Sequence, residues 1–137
     1  MERPKNIIML LFILLTTSLS VFASYKTDIY GAYISNNMLE WKTTLDKMMK
    51  EKPGGNEFIL ELVNYQYGYI AWCIGNDKDK EAEFYLEKAT ENIELLEQKG
   101  FKPSDVSGYK SAFYGFRIGL ATYKAPFLTR KMQIYNH

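Results

Sequence analysis

One stretch constrains this chain more than any other: Asn56 to Asn76, NEFILELVNYQYGYIAWCIGN. Drawn on a helical wheel, Phe58, Ile59, Leu62, Val63, Tyr65, Tyr69, Ile70, Trp72, Cys73 and Ile74 occupy most of the circumference. Glu57, Glu61 and Asn64 keep one narrow polar strip, with Gly68 beside it. A helix that is apolar nearly all round has to be buried on several sides. Its polar edges and its length argue against a membrane span. The sequence therefore predicts a central core helix whose walls are supplied by the rest of the chain.

The amino terminus has the order of a secretory leader. Arg3 and Lys5 precede a wholly apolar run from Ile7 to Leu15, a weaker stretch from Thr16 to Ser20, and Val21-Phe22-Ala23. Positive charge, apolar core and small residues in that sequence predict a signal peptide over residues 1–23, cut after Ala23. The alternative is an uncleaved anchor, but the 17 residues from Ile7 to Ala23 are at the short limit for spanning a bilayer and carry hydroxyl residues, so cleavage is the favoured reading and no stable membrane span is expected in the mature chain. This places the mature chain in the periplasm or outside the cell.

The remainder is about 114 residues, the size of one domain. Cys73 is the only cysteine, so no internal disulfide can form, and its neighbours predict a buried thiol. Without the leader the formal charge falls from +1 to zero, and nucleic acid is not the expected partner of a chain with no net basic surface. The zero conceals a division. Asp77 to Glu97 carries eight acidic and three basic residues, and Lys99 to His137 carries seven basic and one acidic. That division predicts contact between the two blocks, within one molecule or between molecules as a homo-oligomer.

Helix signals mark out the chain in order. Asp28 is placed to cap a short helix through Ile34, and Ser35-Asn36-Asn37 to end it. Asn37 and Glu40 form a capping-box pattern for a second helix with Leu39, Trp41, Leu45, Met48 and Met49 on its apolar face. Lys42, Asp46, Lys47 and Lys50 are expected to face water. Pro53-Gly54-Gly55 stops it. The central helix follows, capped by Asn56 and ended by Gly75-Asn76. Asp77 is the candidate cap of a fourth helix reaching Lys99, with Ala82, Leu86, Ala89, Ile93 and Leu96 on one stripe. Phe84 and Leu95 lie on another face, which predicts a helix sandwiched between two neighbours. Gly100 ends it. Ser104 is the candidate cap of a fifth helix with Tyr109, Ala112, Phe113, Phe116 and Leu120 on its apolar face. Gly108, Ala112, Gly115 and Gly119 form a small-residue stripe, which predicts a close helix neighbour there. Ala125-Pro126 is read as its end, with 127–137 as a basic, unstructured tail.

A helix–turn–helix unit recurs along this outline. Ile34-Ser35-Asn36-Asn37 and Ile74-Gly75-Asn76-Asp77 are turns of the same kind, 40 residues apart. Tyr-Gly occurs within each leading helix, at Tyr30-Gly31, Tyr67-Gly68 and Tyr114-Gly115, with spacings of 37 and 47. Periods of this size belong to stacked helical pairs. With Tyr67-Gly68 and Ala82-x3-Leu86-x2-Ala89, the second unit resembles the tetratricopeptide repeat. Together with the leader and Lys124-Ala125-Pro126-Phe127, the chain also resembles secreted tetratricopeptide-like proteins of Bacteroidetes. The pattern departs from that family at Ala71, where a tyrosine is usual, and at Trp41 and Met48, where small residues are usual. The resemblance implies an all-α fold of stacked helical hairpins, a tetratricopeptide-like superhelix of about five helices over 24–126, with only a leading helix in the third unit. It also implies a protein or peptide partner.

The residues point away from catalysis. His137 is the only histidine, which leaves no Ser–His or Cys–His pair and no zinc-binding set. No catalytic residue, cofactor or metal site is predicted. Glu57, Glu61 and Asn64 share a face, where a paired-carboxylate site is weighed against an ordinary wet strip, and the wet strip is the simpler reading. Tyr65, Tyr69, Trp72, Phe113 and Phe116 are the candidate partner-binding residues. Aromatic rings give stiff, large contact area on a concave repeat surface, although core packing claims such side chains as well.

Overall fold

A computed structural model describes the backbone of residues 3–51 and 54–135, with side chains over 5–12, 24–51 and 54–122. The chain is all-α. Among the described residues it forms five helices: α1 (Arg3–Ile34), α2 (Met38–Glu51), α3 (Gly55–Gly75), α4 (Asp79–Gln98) and α5 (Pro103–Tyr135). None of the described helices is long and apolar enough to cross a membrane. The chain divides into two compact units, Met1–Phe58 and Ile59–His137, so the division falls inside α3.

In the first unit α1 packs against α2. Its core holds Tyr25, Ile29 and Ala32 from α1 with Leu45 and Met48 from α2. The Tyr25 ring lies 6.1 Å from that of Phe58, and Lys47 Nζ sits 5.7 Å over it. Tyr33 meets Trp41 edge-on at 6.2 Å. The Tyr25 hydroxyl is buried and has no hydrogen-bond partner among the described residues.

In the second unit α4 packs against α5. The stripe read from the sequence is the buried face of α4: Ala82, Leu86, Ala89, Ile93 and Leu96, joined by Tyr85. Val106, Phe113 and Leu120 are the buried residues of α5. The apolar wrapping of α3 is also confirmed, since Leu62, Val63, Tyr65, Tyr69, Ile70 and Cys73 are all buried.

The ends of α1, α3 and α4 share one geometry. Asn36, Asp77 and Gly100 take left-handed φ values of 52°, 58° and 63°. The next amide in each case reaches back five residues: Asn37 to the Ala32 carbonyl at 2.8 Å, Lys78 to Cys73 at 2.9 Å, Phe101 to Leu96 at 3.0 Å. These closures satisfy carbonyls that the helix leaves open. The first two turns are therefore of the same kind, as the sequence implies, but they superimpose one residue out of the expected register. The capping box of α2 is present, with Asn37 Oδ1 accepting from the Glu40 amide at 3.2 Å and Asn37 Nδ2 donating to Glu40 Oε2 at 3.0 Å.

Several expectations are corrected. Asp28 caps nothing, because α1 runs unbroken from Arg3 to Ile34. No proline or glycine interrupts residues 24–30, so nothing stops the helix where the leader was expected to give way to a new start. α3 begins at Gly55, one residue ahead of the expected cap. Asp77 is the left-handed residue of its turn, and Lys78 takes the cap position of α4 without a side-chain hydrogen bond. α5 begins at Pro103, where the missing amide proton costs nothing, rather than after Ser104. It continues through Tyr135, past Ala125-Pro126. A proline removes one hydrogen bond from a ladder that continues on both sides of it, and here that loss does not end the helix. Leu39 is 74 % exposed, and Thr44 takes the buried place on α2 beside Leu45 and Met48. Lys47 and Lys50 are exposed, while Lys42 and Asp46 are half-buried. Phe84 and Leu95 are exposed at 47 % and 38 %, so the second apolar face of α4 is not buried, and its two neighbours α3 and α5 are met elsewhere on the helix. Pro53 lies outside the described residues.

Candidate partner-binding site

The five aromatic candidates do not form one surface. Tyr69 and Trp72 belong to a cluster between α3 and α4. Their rings stack at 5.7 Å, and Tyr85 meets Tyr69 edge-on at 5.0 Å. Lys78 Nζ sits 5.5 Å over the Trp72 ring. Tyr69 donates to Glu81 Oε1 at 2.5 Å. Burial raises the Tyr69 phenol above its ordinary value, and the hydrogen bond to Glu81 adds to the effect, because both favour the neutral form.

Phe113 and Phe116 belong to a second cluster, between α3 and α5. They lie 6.4 Å apart, and Phe116 stacks on Tyr67 at 5.4 Å. Tyr109 closes the group, 6.0 Å from both Tyr67 and Phe113. Its hydroxyl donates to Asn64 Oδ1 at 2.9 Å, and burial raises its pKa, with Asp105, Glu61 and Tyr67 adding to the shift. Tyr65 stands in a third place, where it donates to Glu61 Oε1 from the same helix. Burial, then that hydrogen bond, raises its pKa as well.

Tyr65, Tyr69 and Phe113 are buried, while Trp72 and Phe116 are half-buried. Tyr69 and Trp72 build the α3–α4 seam, and Phe113 and Phe116 the α3–α5 seam. Asn64 accepts from Tyr109 across the α3–α5 seam, while Glu61 accepts from Tyr65 within α3. Gln66 goes further into the core. It has no exposed surface, and its Oε1 accepts from Asn92 Nδ2 at 3.4 Å. Among the described residues no group of three His, Cys, Asp or Glu side chains is placed to hold a metal ion.

An open concavity lies elsewhere. A cleft of about 300 Å³ runs between α4 and α5, lined by Glu83, Leu86, Glu87, Arg117, Leu120 and Ala121. Leu86 and Leu120 are its buried floor. Glu83 and Glu87, one helical turn apart, supply two carboxylates from α4, and Arg117 supplies a guanidinium from α5. Arg117 Nη2 donates to Thr90 Oγ1 at 3.0 Å, which fixes its head group against α4. An apolar floor under two carboxylates suits a side chain with an aliphatic stem and a cationic end. None of the five aromatic candidates lines this cleft. Sequence reasoning singled out none of these three charged residues. The signal was the i, i+4 pair of glutamates flanking Leu86, but the facing residues on α5 come from packing alone.

Comparison with protein-family models, curated proteins and solved structures returns no match.

Proposed function

We propose that this chain is a non-catalytic helical scaffold that holds a peptide or protein partner, and that its helices are arranged as in tetratricopeptide repeats. The leader pattern over residues 1–23 supports an exported protein, working in the periplasm or outside the cell. One observation carries the binding role: the cleft between α4 and α5, with a leucine floor, two carboxylates on one wall and a guanidinium on the other. Clefts that combine an apolar base with a few placed charges are the usual form of a binding site. The partner that fits is a segment bearing a lysine or arginine side chain. Self-assembly through the acidic and basic blocks is the less favoured reading, because Lys110 of the basic block pairs with Glu97 of the acidic block within one chain, at 2.8 Å.

A photo-crosslinking residue at Ala121 tests this in intact cells. The expected result is a discrete adduct that is lost in a Glu83→Gln, Glu87→Gln double variant. Labelling at Ala121 no stronger than labelling from the same probe at exposed Lys50 would overturn the assignment.

A further inference from the structure

The α4–α5 seam repeats one register and changes its chemistry. Lys110 of α5 pairs with Glu97 of α4 at 2.8 Å. Seven residues further along α5 and seven back along α4, Arg117 meets Thr90, with Nη2 donating to Oγ1 at 3.0 Å. The first crossing joins a cation to a carboxylate. The second joins a cation to a hydroxyl, which orients the charge without neutralising it. Glu91, the residue after Thr90, holds Lys88 at 3.0 Å instead. Among the described residues no carboxylate is paired with Arg117, although Glu83 and Glu87 line the same cleft. A guanidinium carries five N–H donors, and the bond to Thr90 uses one. The others form the planar fork that grips a carboxylate.

That cation stands at one end of the cleft and the acids stand at the other. The rise of a helix puts Glu87 about 5 Å and Glu83 about 10 Å along α4 from Thr90. Leu86 and Leu120 form the floor. The charges along the cleft therefore run carboxylate, carboxylate, guanidinium. A lone basic side chain answers only the acid end. A ligand with a cation and an anion about 7 Å apart on one side answers both ends. In an extended chain, residues two apart point to the same side at about that spacing. A helix is about 10 Å across, too wide to enter a cleft of about 300 Å³.

We infer that the cleft takes an extended segment of its partner in which a lysine and a glutamate or aspartate stand two residues apart. The ammonium meets Glu83 and Glu87, its aliphatic stem lies on Leu86 and Leu120, and the carboxylate meets Arg117. This rests on the cleft being the partner site, and adds the second charge, its sign and its spacing. Arg117 also acts against the wrong partner, because a second cation placed there is repelled.

Two short peptides with blocked ends are the probes. One has a central lysine flanked two residues away on each side by glutamate, and the other has glutamine in place of both glutamates. Each is titrated into the isotope-labelled full chain and followed by the amide shifts of Leu120 and Ala121. The glutamate peptide is expected to bind about threefold or more tightly than the glutamine peptide. Arg117→Gln should bring the two to equal affinity, Arg117→Lys should keep the preference, and Arg117→Glu should transfer it to a peptide with lysine at the flanking positions. Glu83→Gln with Glu87→Gln should weaken both peptides. Equal binding of the two peptides by the parent chain, still lost in the Glu83, Glu87 variant, overturns the inference and leaves the cleft as the partner site. Binding of neither peptide, or binding indifferent to the Glu83 and Glu87 substitutions, overturns both. An Arg117→Gln chain that still prefers the glutamate peptide also overturns the inference, since another group would then hold the carboxylate.

Discussion

The phenol of Tyr69 donates to Glu81 Oε1 at 2.5 Å and ties α3 to α4 at a point where the tyrosine is almost wholly buried. A hydrogen bond to a charged acceptor contributes about 1.5–3 kcal/mol, and Glu81 is half-buried, so part of that loss is recovered from water. Tyr69→Phe is expected to cost about 1–2 kcal/mol in urea unfolding at neutral pH. The pH dependence has a definite sign. The folded-state pKa of Tyr69 lies above the ordinary value of 10.0, so the native chain holds a proton that the unfolded chain releases. Stability is full below that value and falls as pH rises beyond it. Tyr65 and Tyr109 act in the same direction. Tyr69→Phe should make the alkaline fall shallower, and an unchanged slope would show that Tyr69 does not contribute to it.

Tyr25→Phe should have the opposite effect on stability. Its hydroxyl is buried with no partner among the described residues, and such a group carries a desolvation cost of about 1–3 kcal/mol. Removing the oxygen keeps the ring against Phe58. The variant is expected to be as stable as the parent or up to about 1 kcal/mol more stable, read from the midpoint of thermal unfolding. A clear loss would mean that the oxygen is satisfied.

The capping box at the start of α2 gives a third test. Asn37 accepts from the Glu40 amide and donates to the Glu40 carboxylate. Asn37→Ala is expected to destabilise by about 1 kcal/mol, and Asn37→Ser to keep most of the stability because an acceptor remains and no second carboxylate faces Glu40. Equal losses in chemical unfolding would argue against the cap.

Glycines at two kinds of position should respond in opposite directions. Gly115→Ala adds a methyl group into open space inside a helix, and should stabilise by about 0.5–1 kcal/mol. Gly100 closes α4 at a φ of 63°, where a side chain is strained. Gly100→Ala should destabilise by about 1 kcal/mol. Thermal unfolding of the two variants reads both signs.

Burial separates two apolar positions that sequence pattern treats alike. Ile70 has no exposed surface, and Ile70→Ala is expected to cost about 2–5 kcal/mol through lost contacts and a cavity. Leu95 is 38 % exposed, and Leu95→Ala should cost about 1 kcal/mol or less. Similar unfolding midpoints for the two would contradict the placement of Ile70 on α3 and Leu95 on α4.

Legibility followed the range of the interactions. The wrapping of α3, the buried stripe of α4 and the Asn37–Glu40 box were all readable, because each depends on residues within a few turns of one another. The expected caps at Asp28, Asp77 and Ser104 were not realised. A capping residue offers a hydrogen bond, but it does not oblige a helix to begin there when its neighbours continue the ladder or close the previous turn. The aromatic candidates were legible as large contact surfaces, yet Tyr69 and Phe113 turn inward and Tyr67 joins Phe116 instead.

By itself, then, the order of amino acids determined that the chain is helical and which face of α4 is buried, since periodicity and turn chemistry act along the backbone. Tertiary structure alone decided that Glu83 and Glu87 meet Arg117 across a cleft, that Gln66 lies in the core and that Tyr114 stays bare. Each of those outcomes depends on which residues of distant helices come within a few ångströms of one another, a quantity set by the packing of whole faces and carried by no local pattern.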